Sequence, residues 1–272
     1  HRNYMPAVFL FVGLTMAFWT LGGSKRNQKL ILIVLIIGSS FVTMQRAEIW
    51  SNPKLLIDIW SLEHPSSLRA QTMKIGALLS EKRYIEAQEL LNSQRVLWPR
   101  AIHLDLMNLN RVCVGHFIDD VDERLLIERI KSSKYDGALP SIFKETFRLY
   151  RSQRCEQIDD VLMEGLFSEI VTVDKMPTTA RAQFAILKME FFGLRRDLNR
   201  ALEALDEAYS YQQVSFIPYL KASHFYSAGL MVEANESIEL AIQIEQNKRS
   251  LLRYNLDAYI ALKNEINTAA RQ

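Results

Sequence analysis

Two segments without a charged residue, 6–21 and 30–44, constrain this chain more than any other feature. Each is a little shorter than the roughly 20 residues that span a bilayer comfortably. Lys29 and Arg46 can snorkel at the ends, and Trp19 and Trp50 suit the interface, so both segments extend to spanning length. A core helix of a soluble protein keeps a polar face, whereas residues 31–37 are apolar without a break. The expectation is a two-helix transmembrane hairpin over residues 1–45. The octapeptide between the segments, Gly-Gly-Ser-Lys-Arg-Asn-Gln-Lys at 22–29, reads as a short turn with three positive charges and no negative one. The positive-inside rule places that turn in the cytoplasm. His1 and everything after about Arg46 then face outward: the periplasm, if the hairpin sits in a bacterial inner membrane, or the lumen in a eukaryote. His1 reads as a cut inside a longer protein, because a start at Met5 leaves Arg2 to Tyr4 unexplained and no signal-peptide pattern follows.

Beyond Pro65 the apolar residues recur at helical spacing and strand-like alternation is scarce. Ala201 and Ala208 are seven apart, as are Ala234 and Ala241, and the two pairs are 33 residues apart. A period near 34 with small residues at these places resembles the tetratricopeptide repeat, in which paired helices approach closely and larger side chains would push them apart. Leu205 and Ile238 fill the large position between the alanines, Gly229 falls at the turn between helices, and Ala222 matches the small site of a first helix. A third copy lies at 68–100, with Tyr84, Ala87 and Pro99 in place, Gly76 displaced by one and Gln94 replacing a small residue. The stretch 101–177 predicts four helices, near 101–113, 121–133, 141–153 and 158–172. Residues 254–269 predict a capping helix, with Arg253, Asn255, Lys263 and Asn264 on a more polar face. The expected fold is therefore all-α: a transmembrane hairpin (1–45), an amphipathic linker (46–66) and a tetratricopeptide-like α-solenoid (67–272).

Chemistry-bearing patterns are sparse. His64, His103, His116 and His224 have no metal-ligand spacing, and neither a phosphate-binding loop nor a nucleophile elbow occurs. No catalytic residue, metal site or cofactor is expected. Acidic groups at Asp119-Asp120, Asp122-Glu123 and Asp159-Asp160 suit helix starts. Cys113 and Cys155 are the only cysteines; facing helices could pair them, and two separate buried thiols are equally compatible with the sequence. Asn235-Glu236-Ser237 fits a glycosylation acceptor. The net charge of +2, without a basic stripe interleaved with aromatics, gives no footprint for nucleic acid. First helices of repeats line a concave face, which makes Lys188, Phe192, Lys221 and Tyr226 candidate contacts for a protein or peptide partner.

The linker carries a further signal. Arg2-x-Tyr4-x-Pro6 precedes an apolar segment; Arg46-x-x-x-Trp50 follows the hairpin; Pro65-x-x-x-Arg69-Ala70 opens the repeats. This order resembles polytopic C-type glycosyltransferases with C-terminal tetratricopeptide domains, the transmembrane O-mannosyltransferase family and its bacterial relatives. The resemblance implies a polyprenyl-linked sugar donor on the outer face, with Arg2 and Tyr4 as candidate donor contacts beside the bilayer. It also implies that the acidic catalytic residues lie in early outer loops absent from this chain. The rival expectation is a non-enzymatic, membrane-anchored repeat adaptor for envelope, pilus or secretion assembly.

Overall fold

A computed structural model describes residues 13, 16, 25–117, 122–153, 155–247 and 255–271. The first apolar segment, apart from Gly13 and Met16, and the candidate contacts Arg2 and Tyr4 lie outside the described residues. The chain divides into two compact units, His1–Ala70 and Gln71–Gln272.

In the first unit, α1 (Lys25–Ser51) is a single 27-residue helix. Its stretch Leu32–Ser51 is long and apolar enough to cross a membrane, and none of it is buried. At about 1.5 Å per residue those 20 residues reach about 30 Å, the thickness of the hydrocarbon core. Three hydroxyls in this stretch bond back to the helix: Ser39 Oγ donates to the Ile36 carbonyl at 3.5 Å, Thr43 Oγ1 to the Ser39 carbonyl at 2.7 Å and Ser51 Oγ to the Glu48 carbonyl at 2.8 Å. Two expectations are corrected here. The turn expected at 22–29 is helical from Lys25 onward, because lysine, arginine and glutamine are good helix formers and nothing from Lys25 on breaks the run. The helix also continues past Met44 to Ser51, so Arg46 and Trp50 belong to α1 and not to a separate linker. It ends where Asn52 caps α2 (Pro53–Glu63): the Asn52 side chain accepts from Leu55 N at 3.2 Å, and Pro53 takes the first helical position. Arg69 lies over the Trp60 ring at 5.7 Å.

The second unit is built from helices: α3 (Leu68–Ser80), which begins just before it, α4 (Tyr84–Leu97), α5 (Ile102–Cys113), α6 (Glu123–Lys131), α7 (Leu139–Arg151), α8 (Asp160–Ile170), α9 (Thr178–Leu194), α10 (Leu198–Tyr211), α11 (Phe216–Ser227), α12 (Met231–Gln246) and α13 (Leu256–Ala269). Among the described residues the only strand-like feature is one isolated bridge, Lys134 with Asp174. Asp122 and Asp159 act as helix starts, accepting from Leu125 N and Leu162 N.

One turn joins three helix pairs, and Gly115, with φ of 71° and the next residue's N–H donated to Arg111 O at 2.9 Å, makes the same closure without a helix directly after it. Lys82, Arg196 and Gly229 each have positive φ, at 61°, 58° and 79°. The residue after each donates its N–H five residues back: Arg83 to Leu78, Asp197 to Phe192, Leu230 to Phe225, at 2.9–3.0 Å. This is the Schellman closure of a helix. The next helix follows at once, and its core positions sit at matching offsets. Ala87, Ala201 and Ala234 come five residues after the left-handed residue, Leu91, Leu205 and Ile238 nine after, and Gln94, Ala208 and Ala241 twelve after; all nine are buried. Seven residues before it stand Ile75, Met189 and Ala222, again buried, so the small site seen at Ala222 is filled by larger side chains elsewhere.

Helices pack on their neighbours along the chain: α9 on α10, α11 on α12, α12 on α13, and across the middle α5 on α7 and α6 on α8. One core runs from Ile102 to Ile217 through Phe143, Phe167, Phe184 and Phe191, with a second around Ala222, Ile238, Tyr259 and Ile266. Helix α5 is the most enclosed, with every residue from Ile102 to Asn110 buried. It carries polar groups inward. Asp105 Oδ1 accepts from Arg95 Nε at 2.9 Å and Arg129 Nη1 at 2.7 Å, while its Oδ2 has no partner. His103 Nε2 lies 3.3 Å from Thr72 Oγ1. Loops on one edge are joined through the main chain: Lys134 N donates to Arg100 O, Tyr135 N to Asp174 O, and Asp174 N to Ser133 O. Cys113, at the end of α5, and Cys155, in the loop before α8, form a disulfide.

Candidate functional site

The four residues expected to line a groove do not converge on one cavity. Lys188 and Phe192, one turn apart on α9, border a cavity of about 340 Å³ with Glu164, Arg200 and Glu207. Lys188 Nζ donates to Glu207 Oε2 at 2.9 Å, tying α9 to α10. Phe192 is a core side chain, with the Arg200 guanidinium over its ring at 5.0 Å. Lys221 on α11 is paired with Asp206 of α10 and lies 5.8 Å from the Phe225 ring centroid. Tyr226 borders a separate cavity of about 360 Å³ with Asn264, Glu265 and Thr268 of α13. Both lysines thus serve as cross-helix ties to α10. Charge reversal at either would set two carboxylates against each other.

A charged cluster surrounds the turn between α9 and α10. Glu164 of α8 accepts from Arg195 Nη1 at 3.2 Å and is also bonded to Arg200. Arg200 Nε lies 3.1 Å from Asp197, and Arg195 Nε 3.5 Å from Asp160. Tyr150 OH donates to Asp160 Oδ1 at 2.7 Å. Burial first, and that hydrogen bond second, push the Tyr150 hydroxyl up to about 12. Every member of this cluster answers another, so it holds α7, α8, α9 and α10 in place.

Beside it the balance changes. A cavity of about 520 Å³ opens between the ends of α7 and α9 and the flank of α11. Met189 and Ala201 are buried at its base, and Leu198 and Leu220 extend the apolar lining. Leu194 stands at the rim, 52 % exposed. His224 closes one side, with its Nε2 3.0 Å from Met189 Sδ, and burial holds its imidazole below the ordinary histidine range. The polar rim is Arg151, Arg196 and Glu190, all exposed. Among the described residues neither guanidinium has an ion-pair or hydrogen-bond partner, in contrast to Arg195 and Arg200 next door. Sequence reasoning passed over this site. Its members come from four helices and one turn, and the one trace of it in the sequence is the repeated position of Arg196, 33 residues before Gly229.

The remaining sequence candidates fall as follows. Among the described residues no group of three His, Cys, Asp or Glu side chains is placed to hold a metal ion. His116 stacks on Tyr84 with centroids 4.0 Å apart. Asn235 of the acceptor tripeptide sits within α12, half-buried, with its amide donating to Glu239 at 3.4 Å. That helical setting departs from the exposed loop a glycan acceptor occupies.

Comparison with protein-family models and with curated proteins finds no match to this sequence.

Proposed function

We propose that this chain is the membrane-anchored, partner-binding part of a glycosyltransferase-like membrane protein. Helix α1 crosses the bilayer, and the helix pairs form a tetratricopeptide-like solenoid whose surface receives a protein or peptide. The observation that carries the reading is the turn made at Lys82, Arg196 and Gly229, with buried core positions at the same offsets after each. Helix pairs joined by one recurring turn stack in one direction and build an extended surface, which suits an extended or helical ligand. The Cys113–Cys155 disulfide supports an oxidising location for the second unit, outside the cytoplasm. Lys25, Arg26 and Lys29 at the start of α1 favour a cytoplasmic position for that end. The glycosyltransferase part rests on the motif residues Arg2, Tyr4, Pro6, Arg46, Trp50, Pro65, Arg69 and Ala70, with Arg2 and Tyr4 contacting the phosphate of a lipid-linked donor.

Thiol labelling tests the orientation. Among the described residues both cysteines are paired and none is free, so an introduced thiol is the target. In intact cells a membrane-impermeant maleimide should label Ser66→Cys and leave Ser24→Cys unlabelled. The opposite pattern would overturn the arrangement. For the donor contact, Arg2→Ala in the full-length protein should lose sugar transfer while insertion is unchanged. Full transfer by that variant would leave the adaptor reading in its place.

A further inference from the structure

Resting on that reading of a partner-binding surface, we infer that the cavity between α7, α9 and α11 is a peptide site, taking a segment with a carboxylate next to apolar side chains. Its volume of about 520 Å³ falls within the range of ligand pockets and holds a few residues of extended chain. The apolar base formed by Met189, Ala201, Leu198 and Leu220 fits leucine-like side chains. Two arginines at the rim offer planar forks to a carboxylate. What marks them out is their lack of partners. The neighbouring Arg195 and Arg200 are engaged with Glu164, Asp160 and Asp197, while Arg151 and Arg196 form no ion pair within 4 Å among the described residues. Glu190, on the same rim, offers an acceptor to a backbone N–H of the bound segment. An acyl chain needs an enclosed apolar tunnel, and this cavity is open to solvent with a charged rim, which favours peptide over lipid.

Arg196 has a second property that separates binding from folding. It occupies the left-handed turn position that Gly229 fills in the later copy, with φ of 58°. Glycine takes that conformation without strain. Arg196→Gly therefore removes the guanidinium without harming the turn.

The test uses the full 272-residue chain in nanodiscs and the probe fluorescein-Gly-Asp-Leu-Leu-Gly-amide, read by fluorescence anisotropy. The wild type should bind it and should discriminate against versions with Asn for Asp or Ser-Ser for Leu-Leu. Arg151→Gln and Arg196→Gly should each weaken binding by roughly tenfold, the scale of one charge-assisted hydrogen bond. Arg196→Gly should melt no lower than the wild type, and Arg151→Lys should recover part of the loss. Wild-type failure to bind the Asp-Leu-Leu probe overturns the site and leaves the labelling result untouched. Binding that ignores both arginine changes places peptides elsewhere on the surface, so the inference falls and the partner-binding reading stands. Displacement of the probe by monomeric dihexanoyl-phosphatidylglycerol at lower concentration than by unlabelled peptide assigns the cavity to lipid headgroups and likewise overturns it.

Discussion

Single residues carry two opposite kinds of constraint here. Ala201 and Ala234 are buried to within 1 % and sit where a second helix leans on a first. Leucine at either should overpack the pair and cost about 1–3 kcal/mol in chemical denaturation. A denaturation midpoint matching the wild type would show that the helices do not meet at these alanines. His103 exposes a different sensitivity. Burial holds its imidazole below the ordinary range, with a weaker opposing pull from Asp136. An unfolded histidine takes up a proton near pH 6.5 while the buried one stays neutral. The unfolded state then binds more protons, so stability falls as pH drops from 7 toward 5. His103→Gln should flatten that slope without abolishing it, because His116 and His224 are shifted the same way. An unchanged slope would mean that His103 titrates freely. Asp105 works in the other direction. Burial, against Arg129 and Arg95, holds its carboxyl above the usual range, so the stability it withholds at neutral pH returns as pH falls through its folded value.

At the scale of elements, the recurring turn gives the sharpest expectation. Gly229 has φ of 79° and open space where a Cβ would stand, so Gly229→Ala pays for backbone conformation alone, about 1–2 kcal/mol. Lys82 holds the same conformation with a side chain. Lys82→Gly relieves that strain and returns part of the gain as chain entropy, for a rise in stability of up to about 1 kcal/mol. Thermal melts of the two variants should therefore move in opposite directions; movement in the same direction would break the equivalence of the turns. Helix boundaries were largely legible in the sequence. The four helices expected across 101–177 match α5 to α8 within two residues at every end, because Asp122, Asp159 and Pro140 are strong local start signals. The start of α1 was misread because a run of positive charge resembles a turn while its residues favour helix.

For the whole molecule, what stayed illegible is what depends on distant residues meeting. Nothing near Cys113 in the sequence says that the end of α5 reaches the loop before α8, so the disulfide was one of two open choices. Arg151 and Arg196 lie on different helix ends and border one cavity only after α7 packs on α9. The enclosed polar groups of α5 were hidden for the same reason. His103 and Asn110 fall on one side of α5 and Asp105 and Asn108 on the other, so the helix shows no single polar face in the sequence, and all four are buried once it is packed. The disulfide also determines how the chain responds to pulling. Tension entering from the N-terminal side travels along the backbone to Cys113, crosses the sulfur bridge to Cys155 and continues into α8. The stretch between the two cysteines, which holds α6 and α7, is a closed side branch, so load bypasses it and those two helices keep their length while the bridge is intact.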